Sequence, residues 1–246
     1  MENKERETEL FSKEEKNLPG IMGAILIAAM VVLALVLERE KATASVMNEL
    51  EVPDKNVIVI DAGHGGGDSG KVGINGLLEK DINLQIALRV QSLLEAQGIT
   101  VYMTRSDDIG FYSEEEDNKK MADMKKRVTF INEKNPYLCV SIHQNSYGEE
   151  YVSGAQVFYH ERSENAKLAA EIMQEQLRQS LDKDNDRQVK NNTSYYLLKH
   201  TDCPTIIAEC GFLSNWEEAE KLGDSQYQEQ VAWAIHLGIL RYINSQ

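Results

Sequence analysis

The chain has 246 residues, with 26 lysines and arginines against 40 aspartates and glutamates, so its formal net charge is −14. This length predicts one domain with a substantial core plus an appendage. Binding to a nucleic-acid backbone requires clustered lysine and arginine, so the acidic balance excludes nucleic acid as a partner. The charge also gives no attraction to anionic lipid.

The N-terminal region predicts export. Residues 1–17 form a charged tail that is typical of disorder. Residues 18–38 follow and contain seventeen uncharged residues, Ile21 to Leu37, which is the lower limit for a membrane-spanning helix and longer than most signal-peptide cores. We expect an uncleaved membrane anchor rather than a cleaved signal, although Ala42-Thr43-Ala44 fits the small-residue pattern of a cleavage site. Residues 39–55 are predicted to be a linker.

The chain contains three cysteines, Cys139, Cys203 and Cys210, and no C-x-x-C spacing. This odd number predicts neither a disulfide framework nor a cysteine zinc site. Cys139 lies in an apolar run and is expected to be a small buried hydrophobic residue. Cys203 and Cys210 are expected to be free thiols, with pairing between them as the alternative.

From residue 56 onward, strand and helix patterns alternate, which predicts an α/β domain with a central, mostly parallel twisted sheet flanked by helices on both faces. The predicted strands are 56–60, 99–104, 137–142, 155–159, 195–198 and 205–208. The predicted helices are 79–97, one through 121–131, one capped at Ser163, and 227–243. The helices carry apolar residues at helical spacing, which is typical of faces packed on a core. Residues 182–192 are predicted to be a surface loop.

A glycine-rich turn follows the first predicted strand and contains His64. Residues 65–70 fit G-x-G-x-x-G and residues 65–71 fit G-x-x-x-x-G-K, two patterns of phosphate-binding loops. No helix opens after them, since residues 71–76 continue the loop, and Val72 replaces the hydroxyl residue that would hold magnesium. The glycines therefore indicate a backbone that lets another group approach His64 closely, rather than a site for nucleotide phosphates.

Three residues that can ligate a metal lie at the ends of predicted strands or at the start of a predicted helix. His64 comes after the first strand, Glu79 begins the first long helix, and His143 comes after strand 137–142. Proteins with an open parallel sheet bind small molecules and ions just beyond the carboxyl ends of the strands. We therefore expect these three side chains to lie close together. Two imidazoles and one carboxylate, with a position left for water, predict a catalytic zinc site. Glu209 ends strand 205–208 at the same edge, where a carboxylate can accept a proton from activated water.

Taken singly, each of these residues has an ordinary structural explanation. A histidine after a strand is more often hydrogen-bonded than a ligand, and a glutamate at a helix start is favoured by the helix dipole. Their joint placement at one edge is what favours a metal site. His160, His200 and His236 lack that setting and are predicted to have surface or packing roles.

Four segments, in order along the chain, resemble one known family. They are Asp61-Ala62-Gly63-His64-Gly65-Gly66, Glu79 with Asn83-Leu84, Ser141-Ile142-His143-Gln144-Asn145, and Ile207-Ala208-Glu209-Cys210-Gly211-Phe212-Leu213-Ser214-Asn215. The chain is similar to zinc-dependent N-acetylmuramoyl-L-alanine amidases of the type-3 cell-wall hydrolase family, and in architecture to the germination-specific amidases of spore formers. The resemblance implies a phosphorylase/hydrolase-like catalytic domain over residues 56–246. It also implies one zinc ion on His64, Glu79 and His143, with Glu209 as the catalytic glutamate.

The reaction implied by the resemblance is hydrolysis of the amide between N-acetylmuramic acid and L-alanine on the peptidoglycan glycan strand, which releases stem peptides. In spore cortex this step, with a muramic acid deacetylase, leads to muramic-δ-lactam, so the expected location is the developing spore envelope. Asn145 is a candidate for orienting the substrate or its oxyanion. Metal ligands on loops and helix ends can be poorly ordered without the metal. An accessory or activator protein that completes the site is therefore a further candidate partner. The alternatives are a catalytically silent peptidoglycan-binding module and a zinc peptidase acting on wall peptides.

Overall fold

The computed structural model describes residues 30–36, 38, 53–113 and 115–245. Residues 30–36 are helical and exposed. The predicted tail 1–17, most of segment 18–38 and all but the last three residues of linker 39–55 lie outside the described residues. Within the described ranges, no helix combines the length and apolarity needed to cross a bilayer.

The described residues from Pro53 onward form one compact unit built of strands and helices in alternation. In chain order the elements are β1 (Val57–Ala62), α1 (Glu79–Glu95), β2 (Thr100–Met103), α2 (Lys119–Lys134), β3 (Leu138–Asn145), β4 (Gln156–Tyr159), α3 (Glu164–Leu181), β5 (Lys190–Asn191), α4 (Tyr196–His200), β6 (Thr205–Phe212), α5 (Trp216–Gly223) and α6 (Ser225–Asn244).

These strands form a single six-stranded sheet in the order β2-β1-β3-β6-β4-β5. Strands β2, β1, β3 and β6 run parallel, while β4 is antiparallel to β6 and parallel to β5. The Val-Ile-Val-Ile run of β1 is almost wholly buried, as expected for an interior parallel strand covered on both faces. The predicted α/β fold with a mostly parallel sheet is confirmed.

The two faces of the sheet are covered unequally. On one face, residues such as Ile58, Ile60 and Val140 join the main core with α1, α3 and α6. On the other face, Val59 and Cys139 form a smaller cluster with residues of α2 and α4. Because strand side chains alternate between faces, the polar residues farther along β1, β3 and β6 project on this second face.

The predicted strand 195–198 is wrong, because residues 196–200 form the short helix α4. Strand β6 already pairs with β3 and β4, so no edge of β6 is left for another strand. Leu197 and Leu198 are both buried, in two different clusters. A helical turn allows these adjacent side chains to reach both clusters, and this packing overrides the strand propensity of the aromatic residues before them.

Two strands are longer than the apolar pattern predicts. β3 continues to Asn145 and β6 to Phe212, so His143 and Glu209 lie within strands rather than after them. Helix α5 is not among the helices predicted from the sequence. The sequence signal for its start is the N-cap residue Asn215, whose side chain accepts a hydrogen bond from the backbone N–H of Glu218 at 2.9 Å. Residues 182–192 contain the two-residue strand β5.

Candidate active site

A cavity of about 510 Å³ opens at the carboxyl ends of β1, β3 and β6, on the face covered by α2 and α4. Its wall contains every residue that the sequence predicts for the site, namely His64, Glu79, His143, Asn145 and Glu209. A cleft at this edge of the sheet is where open α/β folds bind ligands. The topology therefore brings together side chains that lie far apart in sequence.

The side chains of His64, Glu79 and His143 converge on one point of this cavity. One potential ligand atom from each lies within 4.8 Å of the others. Glu79 Oε1 is 3.2 Å from His64 Nε2 and 2.9 Å from His143 Nδ1. The two imidazole rings meet edge to face, with centroids 5.0 Å apart. This is the trio that the sequence predicts as metal ligands.

Glu79 is the most firmly held member of the trio and is only 2% exposed. It is the first residue of α1, and its Oε2 accepts the backbone N–H of Lys71 at 2.8 Å. Its Oε1 accepts the backbone N–H of Gln144 at 3.2 Å. Burial by itself raises the pKa of Glu79, but hydrogen bonds from His143 and His64 outweigh it and hold the pKa well below its usual range. The carboxylate is thus ionised and oriented from two sides.

His64 has a left-handed backbone conformation, with φ at 63°. Such a conformation is uncommon outside glycine and marks a position that the surrounding structure must stabilise. The ring Nδ1 lies 2.9 Å from Asp68 Oδ2. Burial lowers the pKa of His64, but the Asp68 and Glu79 carboxylates raise it overall to about 9.

Asp68 is a further residue of the site, and no sequence pattern described above predicts it. A carboxylate that accepts from Nδ1–H of a histidine fixes its tautomer and leaves Nε2 available to a metal. Asp68 sits four residues after His64 in the glycine-rich turn, and its Oδ1 also accepts the backbone N–H of Gly70 at 3.1 Å. The sequence signal for Asp68 is an acidic residue four positions after a predicted histidine ligand.

Two buried arginines hold the turn that carries His64. Arg127 on α2 is 2% exposed, and its Nη1 donates to Asp61 Oδ1 at 2.6 Å. Together, Arg127 and Arg105 donate to the backbone carbonyls of residues 62–64 at distances of 2.6–3.0 Å. Hydrogen bonds to three successive carbonyls fix the strained backbone at the end of β1. Neither arginine was predicted, because both act on backbone atoms more than forty positions away.

Asp61→Asn is expected to destabilise the fold by roughly 3–5 kcal/mol at neutral pH, because it leaves a buried guanidinium without one of its carboxylates. Burial raises the pKa of Asp61, but Arg127 and the Ser141 and Thr104 hydroxyls lower it overall from 3.8 to about 2. A carboxyl group whose pKa is lower in the folded state stabilises the fold above pH 4, and that contribution is lost as pH falls from about 4 to about 2. Urea unfolding of both proteins at several pH values measures this.

The gap in stability between wild type and Asp61→Asn should narrow below pH 4. Asp186→Asn, at an exposed position, serves as the control and should change stability little at any pH. A gap that stays constant down to pH 2, or no gap at pH 7, would contradict the role assigned to Asp61.

Gly63 is required by close packing against a predicted metal ligand. A Cβ atom at this position would lie 2.4 Å from His143 Nε2 and 2.3 Å from its Cε1. We therefore expect Gly63→Ala to displace the imidazole and weaken zinc binding while the core stays folded. Gly148→Ala is the matched control, because a Cβ there meets no atom within 4 Å. Equal zinc affinity in the two variants, measured by titration, would show that the contact has no effect.

Glu209 lies beside His143 in the sheet, since the two residues are register partners on the adjacent parallel strands β6 and β3. Its side chain is buried and lines the cavity, and its Oε2 has no hydrogen-bond partner in the described part of the chain. Burial raises the pKa of Glu209 to about 7, although the charge of His143 lowers it. Buried carboxylates without a partner are rare, and one in a cleft is a candidate proton acceptor.

Asn145 lines the same cavity at the end of β3. Its side-chain carbonyl accepts the backbone N–H of Ser146 at 2.8 Å, and its backbone carbonyl accepts the N–H of Leu213 at 2.8 Å. These bonds fix the side chain and leave its Nδ2 group as the donor that can face a ligand. Substrate binding by Asn145 stays a prediction.

The remaining histidines and the cysteines lie outside this cluster. His160, His200 and His236 do not line the cavity, as the sequence predicts, and His236 packs beside Trp233. All three cysteines are free thiols, which excludes the alternative of a Cys203–Cys210 pair.

The donor chemistry of the trio fits a divalent metal. Two imidazoles and one carboxylate, arising from a loop, a helix start and a strand, match the three-ligand sets of catalytic zinc sites. The Asp68 hydrogen bond to His64 supplies the outer carboxylate that typically orients a histidine ligand. Glu209 lies next to His143, and its Oε2 has no hydrogen-bond partner among the described residues, so its carboxylate remains outside the trio.

Comparison with known proteins agrees with this geometry. Residues 58–241 match the family described as N-acetylmuramoyl-L-alanine amidase. The germination-specific N-acetylmuramoyl-L-alanine amidase of Bacillus subtilis (strain 168) is 39% identical over 193 residues, which cover 77% of this chain and 81% of that protein.

Solved structures show the same similarity. The CwlD amidase from Clostridioides difficile, solved in complex with the GerS lipoprotein, is 40% identical with a TM-score of 0.75, over 77% of this chain and 99% of that one. The amidase AmiC2 of Nostoc punctiforme is 34% identical with a TM-score of 0.68, over 78% and 99% of the two chains. The chain therefore belongs to the N-acetylmuramoyl-L-alanine amidase family of peptidoglycan hydrolases.

Proposed function

We propose that this protein is a zinc-dependent amidase that hydrolyses the bond between the lactyl group of N-acetylmuramic acid and L-alanine. The observation that carries the proposal is the convergence of His64, Glu79 and His143 within 4.8 Å, beside the buried Glu209. Metal ligands alone would fit a storage or structural site. A buried carboxylate that is not needed as a ligand supplies the proton acceptor that hydrolysis requires.

His64, Glu79 and His143 would hold the zinc ion, which would supply Lewis acidity to the scissile carbonyl and to a water molecule. Glu209 accepts the proton of the attacking water and delivers it to the nitrogen of the leaving L-alanine. Burial favours the protonated form of Glu209 and raises its pKa, which helps the group hold the proton before it is delivered to the leaving nitrogen. Asn145, which lines the cavity, donates a hydrogen bond from Nδ2 to a substrate oxygen, and the Asp68 hydrogen bond keeps His64 in the ligating tautomer.

We further propose that the substrate is spore-cortex peptidoglycan and that a muramic acid deacetylase completes formation of muramic-δ-lactam. The support is the similarity to a germination-specific amidase, at 39% identity. Action on cortex requires export, which agrees with the apolar segment 18–38 as a membrane anchor or signal. An accessory protein is a further part of the proposal, because the CwlD amidase was solved in complex with a lipoprotein.

The test is digestion of purified cortex and vegetative peptidoglycan by the zinc-loaded protein, followed by mass spectrometry of the products. We expect free stem peptides and uncut glycan strands, more from cortex than from vegetative wall, and no product after chelation. Cleaved peptide crosslinks would indicate a zinc peptidase instead. Binding to peptidoglycan without any product, with zinc present, would indicate a silent binding module.

A further inference from the structure

Three aromatic side chains stand exposed in the segments that follow β3 and β6. Tyr147 is 61% exposed, Tyr151 80% and Trp216 52%. Tryptophan and tyrosine usually bury most of their surface, and neighbouring exposed aromatic residues are typical of binding surfaces. Tyr147 and Tyr151 belong to the loop after β3, and Trp216 is the first residue of α5. We call these three residues the aromatic platform.

The backbone that carries the platform is held by hydrogen bonds between the two segments. The backbone N–H of Tyr147 donates to Ser214 Oγ at 2.9 Å, and Asn215 Nδ2 donates to the carbonyl of Glu150 at 2.9 Å. The loop after β3 is thus tied directly to the turn that precedes Trp216.

A second set of bonds fixes helix α5. The carboxylate of Glu218 accepts the backbone N–H of Phe212 at 2.7 Å and that of Gly154 at 2.9 Å. These bonds join α5 to the end of β6 and to the far end of the loop after β3. The backbone that carries the aromatic platform is therefore ordered. Binding of a ligand then costs less conformational entropy of the protein.

The loop that carries Tyr147 and Tyr151 begins at the cavity wall. Asn145 and Ser146 line the cavity wall, and Tyr147 is the next residue along the chain. A cavity of about 510 Å³ has room for the reacting amide and the groups beside it but not for a polymer. A glycan strand whose muramic acid lies at the cavity must therefore continue over the surrounding surface.

We propose that the aromatic platform binds the sugar rings that neighbour the muramic acid undergoing cleavage. This inference rests on the proposed function. Pyranose rings present apolar C–H faces that pack on the flat faces of tyrosine and tryptophan, while the polar tips of these side chains face water. Glycan sugars whose lactyl groups are in amide linkage are uncharged, so a protein with a net charge of −14 does not repel them. The same charge disfavours anionic lipid as the occupant.

The test compares two substrates in the full zinc-loaded chain: long-chain cortex peptidoglycan and a single N-acetylmuramic acid carrying its stem peptide, which has no neighbouring sugar. Trp216→Ala, and separately the double variant Tyr147→Ala with Tyr151→Ala, should raise KM for the polymer by about tenfold per lost stacking contact. The kinetic constants for the single muramic acid with its stem peptide should stay unchanged, because this substrate has no neighbouring sugar to reach the platform. Trp233→Ala is the matched control, because Trp233 is 50% exposed on α6 and does not line the cavity.

Co-sedimentation with insoluble peptidoglycan gives a second readout that does not depend on turnover. Weaker sedimentation of the platform variants, with the control unchanged, supports the proposal. Equal activity of wild type and variants on the polymer overturns it, as does an equal loss on both substrates. A wild type that releases no stem peptide from either substrate refutes the proposed function instead. The double variant covers the case in which Trp216→Ala does not fold, because both tyrosines lie on an exposed loop.

Discussion

Glu209→Gln is expected to lower kcat by a factor on the order of 10²–10⁴, the usual contribution of a general base. Glutamine has nearly the same shape as glutamate but cannot accept the proton of the attacking water. The change leaves His64, Glu79 and His143 in place, so zinc content should stay at that of the wild type. Stem-peptide release from purified peptidoglycan, with zinc measured by mass spectrometry on the same preparation, gives both quantities.

Loss of activity in this variant should not result from unfolding. The Glu209 carboxylate is buried, and its Oε2 has no hydrogen-bond partner in the described part of the chain, which costs stability whenever the group is charged. A neutral side chain of the same size removes that cost, so Glu209→Gln should unfold at the same denaturant concentration as wild type or a higher one. Full activity in the variant would show that another group accepts the proton.

His64→Ala is expected to abolish stoichiometric zinc binding and, with it, detectable turnover. The substitution removes one of three converging ligands and leaves only Glu79 and His143. Asp68→Asn should have a smaller effect, about a 10–100-fold loss of zinc affinity, because it disturbs only the orientation of the His64 ring. Zinc titration against a chelator of known affinity separates these two levels.

The control for both variants is His160→Ala, which removes a histidine outside the cavity. Its zinc affinity and activity should match those of the wild type. Two results would count against the ligand assignment: His64→Ala protein that retains one zinc ion with unchanged affinity, or Asp68→Asn protein that loses as much affinity as His64→Ala.

The positions of the three proposed metal ligands could be predicted because they depend on simple patterns. The Val-Ile-Val-Ile run of β1 indicates a buried strand, and ligands gather at the carboxyl ends of parallel strands. His64 and His143 therefore follow from strand position, and Glu79 follows from the start of a clearly periodic helix. The residues at which the strands end could not be predicted from the sequence, because β3 and β6 continue through polar residues that a hydrophobic pattern does not mark.

The groups that support the site could not be predicted. Arg127 lies on a helix whose apolar stripe gives no reason to bury a guanidinium. Asp123, four positions earlier, is one partner, but the others are the distant Asp61 and backbone carbonyls at the end of β1. The unsatisfied oxygen of Glu209 is a property of packing, which no pattern reports. Helix α4 likewise depends on which sheet edges are already paired, and that is known only once the whole sheet is formed.

The central claim is that His64, Glu79 and His143 bind one zinc ion and that Glu209 stands beside it without ligating. The most direct measurement is anomalous diffraction at the zinc absorption edge from crystals of the zinc-loaded protein. The account predicts one strong peak at about 2.0–2.2 Å from a nitrogen of each histidine and an oxygen of Glu79. A peak coordinated by other residues, or by Glu209 in place of one of the three, would contradict it.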